Sequence, residues 1–362
     1  MLTPAFMPVG TSGTVKGLSA AEIRASGTQI LLANTYHLML RPGEGLIRGL
    51  GGLHRFMAWN GPILTDSGGY QVLSLRDRVR VLEEGIEFRS HLDGSPGFLS
   101  PERAMDVQAD LGVDVAVTLD HALLLPHGAG AAREAGERTL RWTERCLARA
   151  RGLATPTGLP QLVFAIVQGG GDAALRREMA ERTAAMDGDG FAVGGLSVGE
   201  SKEETWQLAR AANGALPPGR PRYLMGMGTP LDLLDGIAAG VDLFDCVLPT
   251  RNARNGTAFT SAGPVHIRNA AYAEDARPLD AECRCETCRT LSRAYLRHLH
   301  LAREILAHRM LTLHNVTFYQ TLMSTARSAV LSNAFDAFAR RFRERYRDRG
   351  DSAPDAPSEE TE

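Results

Sequence analysis

An α/β fold of the (β/α)8, or TIM, barrel class is what this chain predicts, and three observations predict it. Eight short apolar runs with β-leaning composition recur along the first 246 residues. Helix-like stretches with recognisable ends separate most of them. Polar residues suited to chemistry stand where the runs end, which is the catalytic face of such a barrel. An open doubly wound sheet is the runner-up. Its dinucleotide-binding version lacks support, because no Gly-x-Gly-x-x-Gly turn follows the first run.

The first run is PAFMPV (4–9). Ser19 then caps AAEIRAS with Glu22 three residues on, and Gly27 stops that helix. QILLAN (29–34), GPILTD (61–66) and VDVAVTLD (113–120) are the next three runs. Residues 131–150, rich in Ala, Arg and Glu, have helical period and lead to QLVFAIVQ (161–168). A second such stretch, 172–186, precedes GFAVGG (190–195). Ser201 and Glu204 form a capping-box pattern ahead of TWQLARAANGAL, and RYLMGM (222–227) follows. Thr229 and Pro230 open LDLLDGIAAG with proline at the first helical position, and VDLFDC (241–246) is the eighth run. The next segment, PTRNARNGTAFTSAGPVHIRNAAYAED, is turn-rich and strand-like, and helical sequence occupies about 289–346.

The 362 residues are 44% hydrophobic, enough for one large domain or two ordinary ones. A net charge of −2 exerts no global pull on nucleic acid, so any RNA contact must come from local basic patches. Five cysteines leave no even disulfide framework and point to a reducing compartment. MLTPAFMPVGTSG lacks the layout of a signal peptide, and the longest apolar stretches fall short of a membrane span. The expectation is a cytoplasmic protein with no membrane partner. Its end, 347–362, is expected to be a disordered acidic tail.

Three of the five cysteines fall within six residues, as Cys283-x-Cys285-x2-Cys288. With His314 after 25 intervening residues they make the donor set of tetrahedral zinc. His298, His300 and His308 lie nearby as alternative imidazoles. Four protein ligands leave no open position, so such a metal is structural. Where the runs end stand Asp66, Asp120, Gln168, Gly195, Met225 and Asp245. Two carboxylates across a reacting carbon suit glycosyl transfer with retention, one attacking and one shuttling the proton. The third carboxylate, with Gln168, suits the polar edge of a guanine-like heterocycle.

TPAFMPVGTSGTVKG, LANTYHLMLRPG, TDSGGYQV, SHLDGS, VQGG, FAVGGL, YLMGMGTP, FDCVLPTRNARNG and the Cys-x-Cys-x2-Cys…His set occur in order from residue 3 to about 346. Together they resemble the bacterial queuine tRNA-ribosyltransferase, or tRNA-guanine transglycosylase, family. The resemblance implies exchange of guanine at the anticodon wobble position (34) for preQ1 (7-aminomethyl-7-deazaguanine), without a nucleotide cofactor. By motif it makes Asp245 the nucleophile and Asp66 the general acid/base. It places Ser67, Gly68, Gly69, Tyr70, Gln71, Asp120, Gln168, Gly195, Leu196 and Met225 around the base, with Tyr70 and Met225 sandwiching it. It assigns RNA contacts to Gly226, Met227, Gly228, Thr229, Pro230, Leu231 and Asp232, and to Thr250, Arg251, Asn252, Ala253 and Arg254. It favours His314 as the fourth metal ligand, and implies a homodimer formed through the zinc region and the tRNA anticodon loop as partner. Family members usually carry further residues before TPAFMPVG, so this chain is expected to begin short.

TRNARNG is expected to put Arg251 and Arg254 beside Asp245 on a loop too turn-rich to be a helix face, where they could hold phosphate and splayed bases. The arginine-rich helix expected at 289–309 either adds phosphate contacts or is a solvated face. The expected organisation is a catalytic barrel at 1–248, an RNA-contacting and zinc-binding insert at 249–315 and closing helices at 316–346. One departure bears on the base. The family typically reads Asp-Glu-Cys where this chain has Asp120-His121-Ala122 followed by LLLPH, which enlarges the pocket. Val198 and Glu200 keep the residues usual for preQ1 use, so preQ1 is expected, with queuine as the alternative. Two other classes share features. A glycoside hydrolase would share the carboxylates but needs neither zinc nor TRNARNG, and 6% aromatic content is thin for sugar platforms. A non-catalytic RNA-binding subunit of this fold would have lost its nucleophile, yet both aspartate motifs are intact.

Overall fold

The computed structural model describes residues 1–74, 79–123 and 128–346. The acidic tail and most of LLLPH lie outside the described residues. Thirteen strands are present among those described: β1 (Ala5–Pro8), β2 (Leu31–Ala33), β3 (Ile63–Thr65), β4 (Arg80–Val81), β5 (Ile86–Arg89), β6 (Pro96–Leu99), β7 (Val115–Val117), β8 (Leu162–Val167), β9 (Gly190–Val193), β10 (Arg222–Leu224), β11 (Leu243–Cys246), β12 (Thr257–Thr260) and β13 (Gly263–His266). Eight of them form one parallel sheet in the order β1-β11-β10-β9-β8-β7-β3-β2. A parallel bridge between Val9 and Leu32 joins its two ends into a barrel. Each of the eight apolar runs supplies one barrel strand.

Alternation along the strands explains the two layers. Met7, Leu32, Leu64, Val117, Phe164, Ile166, Tyr223 and Leu243 fill the barrel interior. Their neighbours Phe6, Ala165, Val167, Phe191, Val193 and Phe244 point outward and are covered by helices. The helix starts follow local chemistry. Ser19 with Glu22, Ser201 with Glu204 and Thr229 with Asp232 form reciprocal capping boxes.

Two elements differ from the sequence reading. Between β3 and β7 the chain inserts an antiparallel sheet, β4-β5-β6, that was not anticipated; SHLDGS is its β5–β6 turn. TRNARNG is not a loop: Leu248–Arg254 is a helix, with Pro249 in its first turn and Gly256, at φ 80°, just past Asn255. Proline at the start and glycine after the end are helix punctuation, and they outweigh the turn-like composition between them. The expected arginine-rich helix is likewise interrupted, into Arg293–Leu301 and Ile305–Leu331, with Arg303 left-handed at φ 58° between them.

After β11 the chain detours through Leu248–Arg254, the β12–β13 hairpin and the cysteine cluster. It then returns along the 27-residue helix Ile305–Leu331. That helix is tied to the barrel by Gln320 to the Phe6 carbonyl (3.1 Å) and Tyr319 to the Gly228 carbonyl (2.6 Å). It is tied to the detour by Asn315, which donates to the carbonyls of Pro249 and Thr257 and accepts from the Phe259 amide. It therefore runs unbroken through the boundary drawn at 315. Among the described residues no helix is long and apolar enough to cross a membrane.

Candidate active site

Parity brings the reactive residues to one mouth. On β11, Leu243 and Asp245 share the interior face, and Asp245 pairs in register with Met7 of β1. Asp66, Asp120 and Gln168 follow β3, β7 and β8, at the same end of the parallel barrel. All four are buried.

The carboxylates are held differently. Tyr223 Oη (2.6 Å) and the Gly226 amide (2.7 Å) both donate to Asp245 Oδ1, and Oδ2 accepts no bond from the described residues. Asp66 is gripped by the Asn34 side-chain amide and by the amides of Thr35 (3.0 Å) and Gly68 (3.2 Å). Burial raises the Asp66 pKa to about 6, the three donors oppose that shift, and the nearby Asp245 charge adds to it. A group near 6 can both give and take a proton at neutral pH. Burial raises Asp245 as well.

Asp120 and Gln168 form the second cluster. Gln168 Nε2 donates to Asp120 Oδ2 at 2.5 Å, and Ser67 Oγ lies 3.5 Å from Oδ1. A Cβ on Gly195 would come within 2.5 Å of Gln168 Oε1, so the glycine lets the backbone touch the amide. Gly68 and Gly69 are buried, and a Cβ on Gly69 would approach the Asp120 carbonyl to 3.2 Å. Leu196 is buried, Gln71 and Met225 are half-buried, and Tyr70 is 50% exposed.

Burial raises Asp120 to about 6, against about 3.9 for an ordinary aspartate. A raised native pKa gives stability that is complete below the ordinary value and lost as pH rises through about 6. Asparagine cannot ionise and can keep the Gln168 and Ser67 contacts. Asp120→Asn should therefore stabilise the base-free protein by about 1–3 kcal/mol at pH 7, and the gain should vanish near pH 4. Thermal melts at the two pH values check this; equal midpoints at pH 7 would contradict it.

Of the segments assigned to RNA, Gly226 is exposed and Thr229 and Leu231 are half-buried, whereas Met227, Gly228, Pro230 and Asp232 are buried. In the second segment Arg251 is exposed, Asn252 and Arg254 are half-buried, and Thr250 and Ala253 face the interior. Cys283, Cys285, Cys288 and His314 come together with their ligand atoms all within 4.8 Å of one another. Nε2 of His314 lies 2.7 Å from the Phe259 carbonyl, leaving Nδ1 toward the sulfurs, 3.2 Å from Cys288 and 3.7 Å from Cys285. A fixed outer hydrogen bond of this kind orients a metal-binding imidazole. This Cys3His cluster is placed to bind one structural metal ion, and its donors are those of zinc.

A family model described as queuine tRNA-ribosyltransferase matches residues 1–348. The queuine tRNA-ribosyltransferase of Solidesulfovibrio magneticus is 52% identical over 339 residues, covering 93% of this chain and 89% of that protein. Those of Desulfosudis oleivorans and Haemophilus ducreyi are 51% and 49% identical, each over 340 residues, 94% of this chain and 88% of theirs. The chain belongs to the queuine tRNA-ribosyltransferase family. It is a pentosyltransferase of that family, with the general tRNA-guanine transglycosylase activity that goes with it.

Three residues that hold the carboxylates were missed at the level of sequence: Asn34, Thr35 and Tyr223. Asn34 ends the second apolar run and Thr35 follows it, so the strand-end rule already pointed to them. Tyr223 stands two residues before Met225 on an inward position, which the alternation of RYLMGM could have revealed.

Proposed function

We propose that this chain exchanges guanine at wobble position 34 of tRNAs with GUN anticodons for preQ1, in queuosine biosynthesis, through a covalent Asp245–ribosyl intermediate. The observation that carries this is the pair of unlike carboxylates at one mouth. Asp245 has one oxygen fixed by two donors and the other engaged by none of the described residues, and Asp66 sits near 6. Asp245 Oδ2 attacks ribose C1′, the bond from C1′ to the guanine nitrogen breaks, and its electron pair leaves with the base. Asp66 protonates that nitrogen. In the return half it removes the proton from the incoming base, whose nitrogen attacks C1′ and releases Asp245. Asp120, Gln168 and the backbone at Gly195 and Leu196 read the base edge. Arg251, Asn252 and Arg254 hold the anticodon loop.

The incoming amine also has a fitting acceptor. The amides of Ser197 and Val198 both donate to Glu200. A trans peptide points its C=O opposite its N–H, so the Leu196 carbonyl faces away from Glu200, available to an aminomethyl ammonium. Incubating the protein with unmodified tRNA and radiolabelled guanine tests the function: label should enter the tRNA. No incorporation would reject base exchange and favour an RNA-binding subunit.

Queuine is the second reading, favoured by the small Ala122 beside Asp120. An apolar size change discriminates by about 1–3 kcal/mol, so preQ1 should win in wild type with some queuine accepted. Ala122→Cys should raise the preQ1 preference by about tenfold, read as the ratio of kcat/KM values on one tRNA. A wild-type preference for queuine would overturn the preQ1 assignment. We also infer a cytoplasmic homodimer that uses the zinc region, where Tyr295, Leu301 and Ile305 leave apolar side chains exposed.

A further inference from the structure

Arg176, in the helix Ala173–Ala184, is 0% exposed. Among the described residues no carboxylate forms an ion pair with it. Its guanidinium instead donates to three backbone carbonyls: Nε to Gly170 (2.7 Å), one terminal nitrogen to Gly194 (3.0 Å) and the other to Gly195 (2.6 Å). Burial lowers its pKa to about 10, which leaves it charged at neutral pH. The Glu200 carboxylate favours the charge from beyond ion-pair distance, and a buried cation with no direct ion pair is held in place by its hydrogen bonds. The approach is close: a Cβ on Gly169 would lie 2.7 Å from Arg176 Cγ.

The geometry of the trans peptide shows the use. Because the Gly194 and Gly195 carbonyls point at Arg176, the amide hydrogens of Gly195 and Leu196 in the same two peptide planes point away from it. Among the described residues neither amide donates to any partner. Gly195 lies against the Gln168 side chain, which holds Asp120, so both amides belong to the base-reading wall. A cation bonded to the carbonyl end of a peptide polarises its N–H end, because linked hydrogen bonds strengthen one another in a low-dielectric site. Two such donors, fixed in advance, match an oxygen that gains negative charge during the reaction.

Resting on the base exchange proposed above, we propose that Arg176 is a positioning residue: by holding the Gly194 and Gly195 carbonyls, it aims and polarises two amides at the ring oxygen of a 6-oxopurine-type base. It touches no substrate atom. It acts by presenting the amides to an oxygen on which charge accumulates as the C1′–N bond breaks, and it selects bases that carry that oxygen.

The test compares full-length, metal-loaded wild type with Arg176→Lys and Arg176→Ala. Base exchange is measured with guanine, with 2-aminopurine (which lacks the oxygen) as competing inhibitor, alongside the melting temperature. Arg176→Lys, which keeps the charge and loses the fork, should lower kcat/KM for guanine about 100-fold. It should cut the preference for guanine over 2-aminopurine at least tenfold. In Arg176→Ala, low millimolar guanidinium should restore part of the exchange, and equal ammonium should not. A lysine variant with unchanged base preference, whatever its stability, overturns the proposal. Should neither variant fold, a wild-type structure with guanine bound decides. The base oxygen within hydrogen-bond reach of the Gly195 or Leu196 amide supports the proposal, and an oxygen turned away from both rejects it. Absence of exchange by wild type would instead reject the base-exchange function itself.

Discussion

Asp245→Asn is expected to abolish base exchange, by a factor on the order of 10⁴ or more, while tRNA binding stays within a few-fold of wild type. Asparagine keeps the shape and can still accept from Tyr223 and Gly226 through its carbonyl oxygen. It then presents an amide nitrogen where the attacking oxygen stood, and that is no nucleophile toward C1′. The charge that pushes Asp66 upward is also removed, so the Asp66 pKa should fall in this variant. Wild-type protein mixed with tRNA should give an adduct that survives denaturing electrophoresis, and Asp245→Asn should give none. An adduct in the variant, or exchange within tenfold of wild type, would remove Asp245 from the nucleophile's role. The carboxylate separation is a second check. Direct attack with retention goes with carboxylates about 5–5.5 Å apart, and a gap of 6.5–9.5 Å goes with a water between them.

The strands were legible because parallel strands covered on both faces read as nearly continuous apolar runs, and QLVFAIVQ and VDLFDC are of that kind. Their ends were legible too, since a polar residue breaking such a run must leave the core or serve a site. Asp66, Asp120, Gln168 and Asp245 were therefore found together, as the barrel geometry requires. Residues whose role depends on who approaches them were less visible. Arg176 sits in ALRREMAERT among other charges, and nothing in that string marks one arginine as wholly buried while Arg177 is exposed. The β4–β6 sheet was missed because its strands, half-exposed, do not read as continuous apolar runs. Only the alternation of Ile86 and Phe88 marks it, too short a pattern to separate from a loop. At TRNARNG the composition suggested a turn, but Pro249 just before it and its own last residue, Gly256, punctuate a helix.

Cys285→Ala should cost the protein its metal and most of its soluble yield together. Cys285 is buried, its sulfur caps the short helix Glu286–Thr290 by accepting from the Cys288 amide (3.5 Å), and it faces His314. The region it fastens has a small core of its own, with Ala258, Val265, Ile267, Leu279, Leu296 and Leu311 buried together. Structural zinc sites contribute on the order of 10 kcal/mol, comparable with the whole stability of a typical domain at about 5–15 kcal/mol. So small a cluster cannot replace that. The damage should also travel, because His314 and Asn315 lie on Ile305–Leu331, the helix whose Tyr319 and Gln320 grip the barrel. Wild type should contain about one zinc per chain. Stripping it with a chelator should lower the melting temperature and open the segment between β13 and residue 304 to proteolysis before the barrel strands are cut. Serine at 285 should rescue little, since a hydroxyl is a poor zinc ligand beside two thiolates. Active, purified wild type without metal would refute the assignment, as would Cys285→Ala protein with normal yield and melting temperature.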